Sequence, residues 1–347
     1  MSAPLPSAPQ KRRRRLRMLG IALGLVLGIG SAGGIAVQWS LSPVAPSAAE
    51  QRFDVSAGTG VWQIARNLQN AGIVRDARAL VLLARWRGVD ASLRAGEYAL
   101  SPAWPAERVL EQLVSGRVIT YEVVLPEGLT AVEVAARLET ATLARADEFL
   151  AVVRDPAVAQ ELGVQGSSLE GYLFPETYRM PHGLSAKRVA RVLVDQFLEE
   201  WAPLAAGAKE RGFDMQQTVT LASIVEKETG AAPERPLVAS VFWNRLAIGM
   251  RLESDPTTIY GIADFDGNLR RPHLEDETNA WNTYKIAGLP PTPIANPGAA
   301  SLAAVVRPAQ SDYLYFVARG DGTHVFSRSY SEHLANVARF QRRAGSR

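Results

Sequence analysis

The stretch DMQQTVTLASIVEKET, residues 214–229, predicts one uninterrupted helix in the second half of the chain. Asp214 has a side chain suited to the N-cap, and Gly230 follows the run as a stop signal. At about 100° per residue, the pattern gives the helix an apolar face formed by Leu221, Ile224 and Val225. We therefore expect this helix to be a buried element around which neighbouring segments pack.

Glu228 lies in the middle of this apolar face, whereas Glu226 lies nearly opposite. A carboxylate on an apolar face loses hydration, which favours its protonated form unless a partner compensates. A raised pKa is what a general acid needs near neutral pH. The alternative interpretation is that Glu228 only ends the apolar face at a frayed helix terminus and reaches water. Helical spacing alone leaves both interpretations open.

The composition of the 347 residues excludes several classes of protein. With 47% apolar and 21% charged residues, the chain can form a packed core, and its length indicates more than one domain. The net charge is +3, and six basic side chains lie within the first seventeen residues, so the remainder lacks the basic surface of a nucleic-acid enzyme. The absence of cysteine excludes disulfides and thiolate chemistry. The four histidines show no metal-ligand spacing, so we expect neither a metal nor a cofactor.

The N-terminal region has the pattern of a membrane anchor. A basic tail, residues 1–18, precedes a predicted transmembrane helix, residues 19–39, whose charge-free run is residues 19–37. As a helix, that run spans about 28 Å, close to the thickness of a bilayer core. The basic tail predicts a cytoplasmic N-terminus in the inner membrane, with the bulk of the chain on the outer side. A cleaved signal peptide and a nucleic-acid-binding tail are the alternatives.

Two segments follow the predicted anchor. The composition of residues 40–50 predicts a linker, and the pattern of residues 51–120 predicts a small subdomain. Within the subdomain, the order strand, helix, helix, strand resembles the LysM glycan-binding module. Residues 53–116 would then bind a polysaccharide, or they would form a spacer that holds the next domain away from the membrane.

The pattern of residues 121–347 predicts a larger, mixed α/β domain, so the expected fold class is α+β. The segment SLEGYLFPETYRMP, residues 168–181, predicts a loop with exposed rings that could stack on sugars, and a buried core plug is the alternative. The segment WNTYKIAGLPPTPIANPG, residues 281–298, predicts an ordered surface loop. Asp321 and Gly322, between YLYFVA and HVFS, predict a C-terminal β-hairpin.

Five sequence blocks resemble those of the YceG-like endolytic murein transglycosylases, the MltG family. They are LEGYLFPETY, LASIVEKET, NRL followed by GMRLESDPTTIYG, NTYKIAGLPPTPIANPG, and YLYFVARGDGTHVFS followed by EH. The resemblance extends from Gln51 to the last helix and includes the single anchor. Trp281, Glu253 and Thr292 depart from the family pattern, in which Tyr, Gln and Gly are usual, and they leave the details of the substrate groove open.

The resemblance implies that Glu228, the second glutamate of the EKET block, is the catalytic residue. It implies cleavage between N-acetylmuramic acid and N-acetylglucosamine within glycan strands, with one glutamic acid acting first as acid and then as base to leave a 1,6-anhydro end. Peptidoglycan and the membrane are then the partners, with cell-wall synthesis proteins as further candidates and the trimming or ending of nascent strands as the expected role. The matching blocks nominate as substrate-binding candidates Glu170, Tyr172, Asp255, Thr257, Tyr260, Asn282, Tyr284 and Asn296.

Two other functions are consistent with the sequence. A non-catalytic glycan-binding scaffold would tolerate Gln at position 228. A water-using glycoside hydrolase would need a second acid, for which Asp255 or Glu170 is available. The products separate the three hypotheses: a lyase leaves anhydro ends, a hydrolase leaves reducing ends, and a scaffold leaves the glycan uncut.

Overall fold

The computed structural model describes Met18, Ile21 and residues 33–340. The chain divides after Thr120 into two compact units, and each unit has its own buried core. The predicted anchor, residues 19–39, lies mostly outside the described residues, although residues 33–41 are helical. Over the described part of the chain, no helix combines the length and apolarity needed to cross a bilayer.

From residue 51 onward, the first unit contains two antiparallel strands and three helices. Its elements are β1 (Gln51–Val55), α1 (Val61–Asn70), α2 (Ala77–Trp86), β2 (Gly96–Leu100) and α3 (Ala106–Ser115). Strand β1 pairs with β2 so that Phe53 lies opposite Tyr98, and the buried faces of all five elements share one core. The predicted order of strand, helix, helix and strand is confirmed. The resemblance to a LysM module stays a prediction.

Residues 40–50, for which the composition predicts a linker, are held against the first unit. The guanidinium of Arg75 donates two hydrogen bonds to the carbonyl of Pro43, at 2.6 and 3.0 Å. The backbone N–H of Val44 donates to the carbonyl of Pro102 at 2.9 Å, and Ser101 Oγ donates to the carbonyl of Ala48 at 2.8 Å. The chain between residues 43 and 48 is therefore fixed on the surface of this unit.

The second unit is mainly helical, with two small antiparallel sheets. Its first part contains β3 (Tyr121–Val124), α4 (Ala131–Thr140), α5 (Ala146–Val153), α6 (Pro156–Glu161), β4 (Thr177–Met180), α7 (Ala186–Trp201) and α8 (Ala205–Glu210). Its second part contains α9 (Met215–Glu228), α10 (Arg235–Ala247), α11 (Asp255–Tyr260), α12 (Arg271–Glu275), α13 (Ala299–Val306), β5 (Tyr315–Ala318), β6 (His324–Ser327) and α14 (Tyr330–Phe340). Strand β3 pairs with β4, and β5 pairs with β6 as the predicted C-terminal hairpin.

Helix α9 is the helix predicted over residues 214–229, and that prediction is confirmed. Asp214 is its N-cap, and its Oδ1 accepts a hydrogen bond from the N–H of Gln217 at 2.8 Å. The side-chain oxygen of Gln217 in turn accepts a hydrogen bond from the N–H of Asp214 at 3.0 Å, and the two bonds form a capping box. Residues 218–225 are all buried, because α10 and α13 pack against the helix. The helix is therefore a fixed support for the residue at its C-terminal end.

The prediction of exposed aromatic rings in residues 168–181 is wrong, and the alternative of a core plug is confirmed. Tyr172, Phe174 and Tyr178 are buried, and residues 177–180 form strand β4. The ring of Tyr172 meets the ring of Phe197 edge-on, with centroids 5.0 Å apart. Its hydroxyl donates to the carbonyl of Gln165, so the polar end of the ring is also satisfied inside the protein.

Residues 281–298 are irregular, as predicted, but residues 282–283 and 293–298 are buried, whereas most of the residues between them are at least partly exposed, as predicted. Asn282, Thr283, Ile294 and Asn296 are buried. An irregular segment can lie inside a protein only if its polar groups find partners. The buried asparagine side chains of this segment do find partners. The amide nitrogen Nδ2 of Asn282 lies within hydrogen-bond distance of the carbonyls of His273, Leu274 and Asp276.

Candidate active site

The side chain of Glu228 lines a cleft of about 560 Å³ in the second unit. The last residue of α9, the segment that leads into α11, the hairpin β5–β6 and helix α14 surround this cleft. Its lining combines carboxyl, guanidinium, imidazole and phenol groups with apolar side chains, and includes Glu228, Arg245, Glu253, Asp255, Tyr284, Tyr315, His324, Tyr330 and His333. A cleft of this size and mixed polarity fits a polar ligand such as a sugar.

Burial raises the pKa of the Glu228 carboxyl from 4.5 to about 7. The charge of nearby Asp255 acts in the same direction, whereas the hydrogen bond from Ser254 and the charge of Arg245 oppose the shift. Glu228 is also the last residue of α9, where the negative end of the helix dipole disfavours an anion. Both the protonated and the ionised form of Glu228 are therefore accessible near neutral pH.

Ser254 Oγ donates a hydrogen bond to Glu228 Oε1. Ser254 is itself held on both sides, because its N–H donates to Thr283 Oγ1 at 2.9 Å and its carbonyl accepts from Thr257 Oγ1 at 2.6 Å. The hydroxyls of Thr257 and Thr283 lie 2.8 Å apart and hydrogen-bond to each other. The predicted site residue Thr257 thus lies behind the cleft and fixes the donor that contacts Glu228.

Asp255 and Tyr284, two further predicted site residues, come together in the cleft. The hydroxyl of Tyr284 donates to Asp255 Oδ1 at 2.7 Å. Burial, together with this hydrogen bond, raises the pKa of the Tyr284 phenol, so the phenol stays protonated and can donate. Of the eight substrate-binding candidates, only this pair lines the same cleft as Glu228.

Arg245 is a cleft residue that the sequence did not single out. It is buried, its Nε donates to the carbonyl of Leu314 at 2.7 Å, and its Nη1 donates to the carbonyl of Leu252 at 2.6 Å. Its guanidinium lies 5.3 Å from the centre of the Tyr315 ring. Arg245 therefore places a fixed positive charge beside Glu228. The only sequence signal for Arg245 was its place in the NRL block. The only signal for Ser254 was its place in the LESDP segment.

Glu170, Tyr260 and Asn296 are predicted site residues that form a buried network outside the lining of the cleft. The Glu170 carboxylate accepts from the N–H of Ala131 at 3.0 Å, from the Tyr260 hydroxyl at 3.1 Å and from Asn296 Nδ2 at 3.2 Å. Burial raises the pKa of Glu170 to about 7. Asn296 Oδ1 also accepts from the N–H of Gly171 at 2.9 Å. These side chains join distant segments, as Asn282 and the buried ring of Tyr172 also do.

Glu226 faces away from the cleft, in agreement with the helical spacing. Its carboxylate forms an ion pair with Arg235 at 2.9 Å and accepts from the N–H of Gly298 at 3.0 Å. Only 5% of this side chain is exposed. Glu226 is therefore a structural carboxylate that ties α9 to the start of α10 and α13, whereas Glu228, two residues later, faces the cleft.

The described residues contain no group of three or more histidine, aspartate or glutamate side chains placed to hold a metal ion. His324, which lines the cleft, instead lies 2.7 Å from Glu234 through its Nδ1. The groups that line the cleft can support proton transfer by a carboxyl group, with hydroxyl and guanidinium groups around it.

The chain is similar to a known protein family along most of its length. The family model described as YceG-like matches residues 53–339. An endolytic murein transglycosylase of Bacillus subtilis is 27% identical, over 81% of this chain and 82% of that protein. One from Streptococcus pneumoniae strain D39 is 28% identical, over 92% of this chain and 64% of that protein.

The solved structure of a yceG-like protein from Listeria monocytogenes is similar in fold and in sequence. It is 29% identical, with a TM-score of 0.57, and the match covers 84% of this chain and all of that one. Residues 53–339, which the family model matches, include α9, the cleft and the hairpin. This chain belongs to the YceG-like family.

Proposed function

We propose that this protein is a peptidoglycan lytic endotransglycosylase. It cuts the bond between N-acetylmuramic acid and N-acetylglucosamine inside glycan strands and leaves 1,6-anhydro-N-acetylmuramic acid ends. The observation that carries the proposal is the Glu228 carboxyl, which lines a cleft and has a pKa of about 7. The similarity to relatives that are named endolytic murein transglycosylases supports the same substrate and reaction.

Protonated Glu228 supplies the acid step. Its proton passes to the bridging oxygen while the bond from that oxygen to the anomeric carbon of the muramic acid breaks. The Ser254 hydroxyl and the nearby Arg245 charge stabilise the carboxylate that this step creates, since both favour the ionised form. Hydrogen bonds hold both groups in place before the charge develops, because the N–H of Ser254 donates to Thr283 Oγ1 and Arg245 Nε donates to the carbonyl of Leu314.

The carboxylate of Glu228 then acts as the base. It takes the proton from the C6 hydroxyl of the same sugar while that oxygen bonds to the anomeric carbon, which closes the anhydro ring. The proton lost in the first step is thereby returned, and no water enters the products. Because the first step needs the acid form, its rate falls as the pH rises through about 7, the pKa of Glu228.

A water-using glycoside hydrolase is the second candidate, and one observation favours it. Asp255 lines the same cleft as Glu228 and could serve as the second carboxylate of such an enzyme. Asp255 already accepts a hydrogen bond from the Tyr284 hydroxyl. Product masses distinguish the reactions, because hydrolysis adds one water to each cut and leaves a reducing end.

Replacing Glu228 and Glu170 separately tests the proposal, because burial raises the pKa of both carboxyls to about 7 and only Glu228 lines the cleft. Glu228→Gln keeps the shape of the side chain but has no acidic proton to transfer, so we expect the release of anhydro products to fall by about 100- to 10,000-fold. Glu170→Gln is the matched control and should keep most of its activity per folded molecule. Products are measured by mass spectrometry and folding by circular dichroism.

A Glu228→Gln protein that cuts at close to the parental rate would exclude Glu228 as the acid. Reducing ends in the products of the parent protein, together with loss of cleavage in a folded Asp255→Asn protein, would favour the hydrolase. Absence of any cleavage by the parent protein would favour the non-catalytic scaffold.

We also propose that residues 19–39 anchor the protein in the inner membrane, with residues 1–18 in the cytoplasm and the catalytic unit outside it. The basic tail before a charge-free apolar run supports this topology. A reporter fused to the C-terminus should be active on the outer side, and the protein should stay in membranes after an alkaline wash. Release of a shortened, soluble form would show a cleaved signal peptide instead.

The first unit is the proposed LysM-like glycan-binding subdomain, and its strand, helix, helix, strand order supports that assignment. If the assignment is correct, deleting residues 53–116 should weaken sedimentation with insoluble peptidoglycan and leave short soluble fragments cleavable. Unchanged sedimentation would favour a spacer. Cell-wall synthesis proteins are the partners that we propose for an enzyme that trims or ends nascent strands.

A further inference from the structure

Helix α2 carries an exposed apolar face that no other described part of the first unit covers. Leu82 is 65% exposed and Trp86 is 83% exposed, although they lie one turn apart on the same side of the helix. With Ala79 and the helical residues 36–41, they form a groove of about 500 Å³. Large apolar side chains clustered in this way indicate a contact surface.

This face lies beside the point where the chain leaves the predicted anchor. The guanidinium of Arg75 lies 5.0 Å from the centre of the Trp39 ring, and it also donates hydrogen bonds to the carbonyl of Pro43. Trp39 is 62% exposed and ends the segment predicted to span the membrane. The end of the predicted anchor is therefore held at the start of α2, and Ala36, Val37, Ser40 and Leu41 line the same groove as Leu82 and Trp86.

The side chains at the groove suit the interface between lipid and water. Tryptophan is enriched at that level, because its ring is apolar and its N–H can reach polar head groups. Arg78 borders the groove and Arg85 lies within the same helix, so cations are available for lipid phosphates. Asp76 and Glu107 also border the groove, which makes apolar burial, and not net charge, the main attraction.

We propose that the α2 face, defined by Leu82 and Trp86 and bordered by Ala36 and Val37, rests on the outer surface of the phospholipid bilayer that holds the anchor. The inference rests on the proposed membrane anchoring. The first unit is then attached to the membrane by two contacts, the anchor and this face. Residues 43–48 follow the predicted anchor and are fixed on the first unit, because Arg75, Ser101 and Pro102 form hydrogen bonds with them.

The absence of native cysteine allows a direct test with the full-length chain. A fluorescent probe is attached to the single thiol of Leu82→Cys, and the protein is placed in nanodiscs of phosphatidylethanolamine and phosphatidylglycerol. Lipids with a nitroxide near the head group should remove most of the probe's fluorescence. The matched control is Gln63→Cys, at an exposed position on α1 outside the groove, where the loss should be small.

A second pair of variants tests whether the apolar face causes the contact. Trp86→Glu in the Leu82→Cys background places a charge in the contact and should restore much of the fluorescence. Trp62→Glu in that background is the control, because Trp62 is also exposed and lies on α1. Both tryptophans lie at the surface, so neither substitution creates a cavity in the core.

Equal quenching at positions 82 and 63 in incorporated protein would overturn the proposal. A probe at position 82 that is shielded from aqueous iodide but not quenched by nitroxide lipid would also overturn it, because a protein, such as a second copy, would then cover the face. Failure of the chain to enter nanodiscs would contradict both the proposed membrane anchor and the proposed contact of the α2 face with lipid. Cleavage of soluble glycan by the same samples reports on Glu228 independently of all these outcomes.

Discussion

The site depends on one constraint, which is that a carboxyl group is kept in a desolvated position at the C-terminal end of a buried helix. Desolvation and the helix dipole favour the neutral acid at Glu228. The Ser254 hydroxyl and the Arg245 charge favour the carboxylate. The balance gives a pKa of about 7, which lets one residue donate a proton and later accept one. A reaction that needs no water nucleophile can proceed with a single carboxyl of this kind.

Much of the second unit serves to hold this arrangement in place. Helix α9 is buried over residues 218–225, and the Glu226–Arg235 ion pair ties its last turn to α10. Behind the cleft, Thr257 and Thr283 fix Ser254 through hydrogen bonds on both sides. Most block residues nominated for substrate binding support the structure in the same way. These residues therefore support the second unit without lining the cleft.

The sequence predicted what local patterns determine. The apolar periodicity and the capping residue Asp214 predicted the helix of residues 214–229. The apolar face of that helix separated Glu228 from Glu226, and Asp321 with Gly322 predicted the hairpin. Contacts between distant segments were not predictable in this way. Nothing local distinguishes Ser254, which meets Glu228, from other serines, or shows that Asn282 and Asn296 allow parts of a polar, proline-rich segment to be buried. The aromatic segment was misassigned to the surface because its prolines exclude a helix but say nothing about burial.

Glu228 should be half protonated near neutral pH, and an infrared titration measures this protonation directly. The carbonyl stretch of a neutral carboxylic acid is recorded across pH as the difference between the parent protein and Glu228→Gln, which isolates this one group. Glu170 is present in both proteins and cancels. Loss of the neutral-acid band with a midpoint near pH 7 is the predicted result. A midpoint near 4.5, the ordinary value for a glutamate, would mean that Glu228 is ionised at neutral pH and is not the acid.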